Sequence, residues 1–109
     1  MLEFRFIEDE NTLLCLFSGR MDTIISNELS IRITEELNIR KGSDDPGLIF
    51  PGTIIFDLQD VSFIASAFIR ICVSTAKSVE KGSFSIQNCV PLLKKTFKIA
   101  GLDELLNVN

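Results

Sequence analysis

Residues 56–70 read FDLQDVSFIASAFIR, and two different periodicities meet inside them. Up to Leu58 the run Thr53–Leu58 (TIIFDL) is β-branched and aromatic on both faces, as expected of a central strand covered by helices on either side and parallel to its neighbour. From Ser66 onward Ile69, Cys72, Val73, Ala76 and Val79 recur at helical spacing, which predicts a helix over 66–80 with Gly82 in the C-terminal capping position. Residues 59–64 are left as a short connection. A strand therefore gives way to a helix, and in open α/β sheets the unpaired N–H groups and helix dipole at such junctions line the functional edge. Ser66 stands at the helix start, where its hydroxyl either caps the helix or is free for modification.

The flanks complete the pattern. Leu2, Phe4 and Phe6 alternate with Glu3 and Arg5 as in a half-buried strand, and residues 8–11 turn the chain. Thr12–Phe17 returns as a second strand, ending at Ser18 and Gly19, to make an N-terminal hairpin. Asp22 is a suitable N-cap for a helix whose Ile25, Leu29, Ile33 and Leu37 recur every four residues up to Gly42. Residues 41–52 (KGSDDPGLIFPG) hold three Gly and two Pro and read as a long, solvated loop, with Leu48, Ile49 and Phe50 able to pack back or meet a partner. Residues 83–87 (SFSIQ) alternate as a last strand, residues 90–99 form a last helix stopped by Gly101, and 102–106 suit one more helical turn. The fold class is thus α/β: a mixed, mostly parallel sheet of about four strands with an N-terminal hairpin, covered by three to four helices.

Composition narrows the function. With 109 residues, 46% hydrophobic and nine Phe, the chain is one domain that needs neither disulfides nor a structural metal to hold its core. Its net charge of −4 and scattered basic residues disfavour nucleic acid. The absence of His removes the commonest metal ligand and the usual general base, so no catalytic residue, metal or cofactor is expected and the chain reads as a non-enzyme. Cys15, Cys72 and Cys89 lie far apart among apolar neighbours and suit core packing in a reducing cytoplasm. Neither a signal peptide nor a stretch of about 20 apolar residues is present, so no membrane insertion is expected and the localisation is read as cytoplasmic.

The junction also resembles the signature of the STAS domain family, the domain of anti-sigma factor antagonists and of sulfate transporter tails. Asp57, Leu58, Val61, Phe63 and Ile64 fit that signature, and Ser66 falls on the serine that partner kinases phosphorylate in phospho-regulated members. Gly19 followed by Asp22 and Thr23 is similar to the family's Gly-x-x-Asp lead into its first helix, and Gly101-Leu102-Asp103 to its Gly-Leu exit from the last. Ala65, Ala67 and Phe68 depart from the pattern, standing where the family has Asp, a second Ser and Gly.

The resemblance covers nearly the whole chain and implies a single STAS-like domain over 1–109. It further implies a bacterial transcription regulator: an anti-sigma factor antagonist that binds an anti-sigma factor serine kinase and is controlled by phosphorylation at Ser66. Asp22, Thr23, Ala65, Ser66, Ala67 and Phe68 would form the partner-binding edge, with Phe68 either buried or enlarging an apolar docking patch. Asp57, at the expected strand end, would brace the following loop. The three departures motivate an alternative, a phosphorylation-independent docking subunit of a regulatory or ABC-transport assembly.

Overall fold

A computed structural model describes residues 1–109. Strand β1 (Leu2–Ile7) pairs antiparallel with β2 (Thr12–Met21), Leu2 opposite Phe17 and Phe6 opposite Leu13, through a 3-10 turn at Glu8–Glu10. Asn11 closes that turn at φ 48°, a left-handed conformation that Asn tolerates better than most residues. Helix α1 (Thr23–Lys41) crosses over to β3 (Thr53–Ile64), and α2 (Ser66–Ala76) leads to β4 (Phe84–Gln87) and α3 (Pro91–Ile99). The sheet order is β1-β2-β3-β4, with β3 parallel to both β2 and β4. This is the expected mixed sheet, N-terminal hairpin and three helices.

Strand alternation sorts the side chains into two unlike faces. On one face Leu13, Cys15, Phe17, Ile54, Phe56 and Ile86 are buried, in one cluster with Leu29 and Ile33 of α1, Phe68 and Cys72 of α2, and Phe97 of α3. On the other, Leu14, Leu16 and Ile55 are half-buried beside the exposed Glu3 and Arg5, outside that cluster. The expectation of helices on both sides of β3 is corrected: they pack on one side, and on the second face Leu14 and Leu16 lie opposite Arg5 and Glu3 of β1 and stay half-buried.

β2 and β3 both run further than their periodicity indicates. The pairing steps from Leu16–Asp57 to Ser18–Asp60 and again from Gly19–Val61 to Arg20–Phe63, so β3 carries an extra residue at each step. Such bulges shift the side-chain alternation. Buried positions consequently fall at Leu58, Val61 and Ile64, three apart instead of two, which is why residues 59–64 look like a connection in the sequence although they are strand.

Other boundaries differ for tertiary reasons. α2 stops at Ala76, and Gly82, at φ +89°, lies in the turn before β4 and not at the helix cap. The early stop lets Val79 bridge to Phe50, whose N–H donates to the Ser78 carbonyl at 2.7 Å. Within the 41–52 segment Phe50 is therefore core, while Leu48 and Ile49 remain exposed. Gly52 ends that segment where a Cβ would collide with the Asn11 carbonyl oxygen, so the close approach of these two turns requires Gly. Residues 102–106 do make the one further turn, with the Leu106 N–H donating to the Leu102 carbonyl at 3.0 Å; they bury Leu106 and return Val108 to bridge Ile86.

Candidate functional site

The extended β2 and β3 finish together, with Met21 paired to Ile64, and the Ala65 N–H donates to the Met21 carbonyl at 2.9 Å. The next residue on each chain segment opens a helix, so the N-termini of α1 and α2 stand side by side at one edge of the molecule. At α1, Asp22 is the N-cap as expected: its backbone is extended and its carboxylate accepts the Ile25 N–H at 2.9 Å. At α2 the capping position is Ala65, φ −93° and ψ 167°, which has no side chain with which to cap.

Ser66 is therefore the first helical residue and not the cap. It is exposed, and its hydroxyl makes no hydrogen bond within the chain. The capping explanation for this serine is thus corrected. Its two successors point inward: Ala67 is 6% exposed, and Phe68 is fully buried with its ring edge-on to Phe17, centroids 5.1 Å apart. Phe68 is a core residue, and neither it nor Ala67 offers a side chain to a docking patch. Of the six residues expected at the edge, Asp22, Thr23, Ala65 and Ser66 are brought together at the surface.

Asp57 is not part of this constellation. It lies in the middle of β3, and because Asp57 pairs with Leu16 and Ile64 with Met21, the interval is five residues of β2, or roughly 17 Å at about 3.3 Å per residue. Its carboxylate accepts the Gln59 N–H at 3.0 Å and the Asn88 side-chain amide at 2.9 Å. It braces the first bulge of β3 and the left-handed Asn88 after β4, away from Ser66.

Three residues not expected as site members, Arg20, Phe63 and Arg70, flank the edge. The Arg20 guanidinium lies 4.3 Å above the Phe63 ring, a cation–π contact between paired positions of β2 and β3. Phe63 remains 38% exposed, so the pair forms an apolar, positively charged shoulder beside Ala65. Arg70, one turn after Ser66, is exposed and makes no ion pair. The spacing of 66 and 70 was visible in the sequence; the meeting of Arg20 with Phe63 depends on the bulged register and was not.

The remaining chemistry is sparse. Burial raises the thiols of Cys15, Cys72 and Cys89 above their usual value, which leaves them protonated and poor nucleophiles. No group of three or more His, Cys, Asp or Glu is placed to hold a metal ion. A groove of about 240 Å³ between α1 and α2 includes Asn27, Ser30, Arg70 and Ser74 in its wall, a lining suited to water or a polar segment more than to an apolar ligand. No helix is long and apolar enough to cross a membrane.

Direct sequence comparison finds no match among curated proteins. Among solved structures, an anti-sigma factor antagonist from Mycobacterium paratuberculosis superposes with a TM-score of 0.73 at 17% identity, covering 99% of this chain and 85% of that one. The anti-sigma factor antagonist SpoIIAA in its unphosphorylated form gives 0.61 at 16% identity, covering 91% and 83%. The phosphorylated form of the Bacillus cell fate determinant SpoIIAA gives 0.62 at 16%, covering 100% and 91%. At these identities the likeness is one of fold. The STAS domain profile, however, matches residues 4–109, nearly the whole chain, and the chain belongs to the STAS domain family.

Proposed function

We propose that this chain is an anti-sigma factor antagonist that binds an anti-sigma factor serine kinase and is released by phosphorylation of Ser66. The observation that carries the reading is an exposed serine hydroxyl with no partner, at a helix N-terminus that no side chain caps, next to the Asp22-capped start of α1. Two neighbours of the same fold are anti-sigma factor antagonists, and SpoIIAA is described both with and without phosphate.

The physics suits a switch that changes binding while the fold stays. A phosphate on Ser66 adds about −1.5 to −2 charge. Its own helix tolerates that charge, because the dipole favours an anion at the N-terminus by about 0.3–1 kcal/mol and uncapped N–H groups are close by. A partner packed over Thr23, Ala65 and Ser66 does not tolerate it equally: an anion buried in an interface without a counter-charge costs several kcal/mol.

Ala65 favours the second reading, a docking subunit that works without phosphorylation, since no carboxylate stands at the α2 cap to orient the serine. Affinity capture from source-cell lysate with wild type, Ser66→Ala and Ser66→Glu separates the two. The switch requires an ATPase-fold kinase retained by wild type and Ser66→Ala and lost by Ser66→Glu, and this kinase must add one phosphate to wild type and none to Ser66→Ala by intact mass. Transporter or scaffold subunits held equally by all three proteins establish the docking subunit instead.

A further inference from the structure

α1 is apolar on two sides. Leu29, Ile33 and Leu37 face the core, yet Ile24 and Ile31 on the opposite side are 72% and 63% exposed, with the exposed Glu28 between them and in no ion pair. α3 carries a matching outer face: Leu92 and Ile99 are 71% and 77% exposed, and Lys95 between them is likewise exposed and unpaired. Isolated exposed apolar residues are ordinary on a protein surface. Two helix faces with the same spacing and opposite charge are not explained that way.

We infer that these two faces are the complementary halves of one contact, through which copies of this chain associate head to tail. Along α1 the steps from Ile24 to Glu28 to Ile31 are four and three residues; read backwards along α3, the steps from Ile99 to Lys95 to Leu92 are also four and three. Each stripe spans about 10 Å at 1.5 Å per residue. Laid antiparallel, Ile24 meets Ile99, Glu28 meets Lys95 and Ile31 meets Leu92, so every position of the stripe finds an apolar or oppositely charged counterpart. Pairing of α1 with a second α1 is disfavoured, because the antiparallel register that joins Ile24 to Ile39 sets Glu28 against Glu35. The contact is heterologous, one copy's α1 against another's α3, and so builds rings or open chains in place of a closed two-fold dimer. A single pair of short helix faces buries well under the ~1,600 Å² of a standard interface, which makes the association weak and strongly concentration-dependent. It uses neither Ser66 nor Asp22 and stands independently of the proposed switch.

Sedimentation of the purified chain from about 1 µM to about 1 mM tests the contact. The weight-average mass is expected to rise from monomer through dimer to larger species, without a plateau at dimer unless a small ring closes. Glu28→Lys and Lys95→Glu should each weaken association roughly threefold or more, and the double exchange should restore it to within about twofold of wild type, because the pair's sign is reversed and its complementarity kept. Ile31→Asp and Leu92→Asp, both at exposed positions, should abolish it while circular dichroism and thermal unfolding stay as in wild type. A chain that remains monomeric at the highest concentration overturns the inference. So does association that persists in Ile31→Asp or Leu92→Asp, or a double exchange that fails to rescue.

Discussion

The two helix starts at the candidate site solve one problem in different ways. α1 begins at Asp22, whose carboxylate satisfies a first-turn N–H, while its first residues Thr23 and Ile24 are exposed. α2 begins at Ala65 with no capping side chain, and its first turn is held by burying Ala67 and Phe68 under the sheet. A capped start uses its side chain for structure. A start anchored by burial leaves the polar end unoccupied, and that is where the free hydroxyl of Ser66 sits. Stability and reactivity are thus separated by residue: Phe68 places the helix, and Ser66 is spared from doing so.

The separation can be broken most forcefully at Phe68. Phe68→Ala empties a site between Phe17 and Phe56 and is expected to cost about 3–5 kcal/mol, read as a fall in the urea midpoint at unchanged slope. A loss below about 1 kcal/mol would show that burial does not anchor α2. Asp22→Ala removes the cap of α1 and should cost about 1 kcal/mol in the same measurement, a smaller effect because Leu29, Ile33 and Leu37 still bury the helix. Ala65→Asp supplies the cap that α2 lacks, since Ala65 already has extended capping dihedrals; a gain of about 0.5–1 kcal/mol in thermal or urea stability is expected. No gain would mean that the N–H groups of that first turn are already satisfied by solvent. Ser66→Glu should have the least effect on stability, within about 0.5 kcal/mol of wild type, because the position is exposed and the helix dipole favours the charge. If Ser66→Glu unfolded the chain instead, Ser66 would be structural and the division between the two helix starts would fail.

Legibility in the sequence followed the same physical divide. Asp22, Gly42 and the four-residue spacing of Leu29, Ile33 and Leu37 announced α1 at both ends, because capping and helical periodicity are local. β1 was equally plain from the alternation of Phe4 and Phe6 with Glu3 and Arg5. β3 beyond Leu58 was not, since its bulges are matched by the pairing with β2 and leave buried residues three apart. α2 looks longer in the sequence than it is because Val79 continues the helical spacing, and only its bridge to Phe50 shows that the chain has already turned.

Local sequence patterns suffice for the α/β class, the element order, the family likeness and the position of Ser66 at a helix start. These depend on hydrophobic period, capping and turn residues, all readable within a few positions. Tertiary structure alone decided that α1 and α2 begin side by side, that Asp57 lies far from Ser66, that Phe68 is buried and that Arg20 meets Phe63. Each of these depends on strand register and on which sheet face the helices cover. Both are set by the mutual fit of segments distant in the chain, where no local pattern records the outcome.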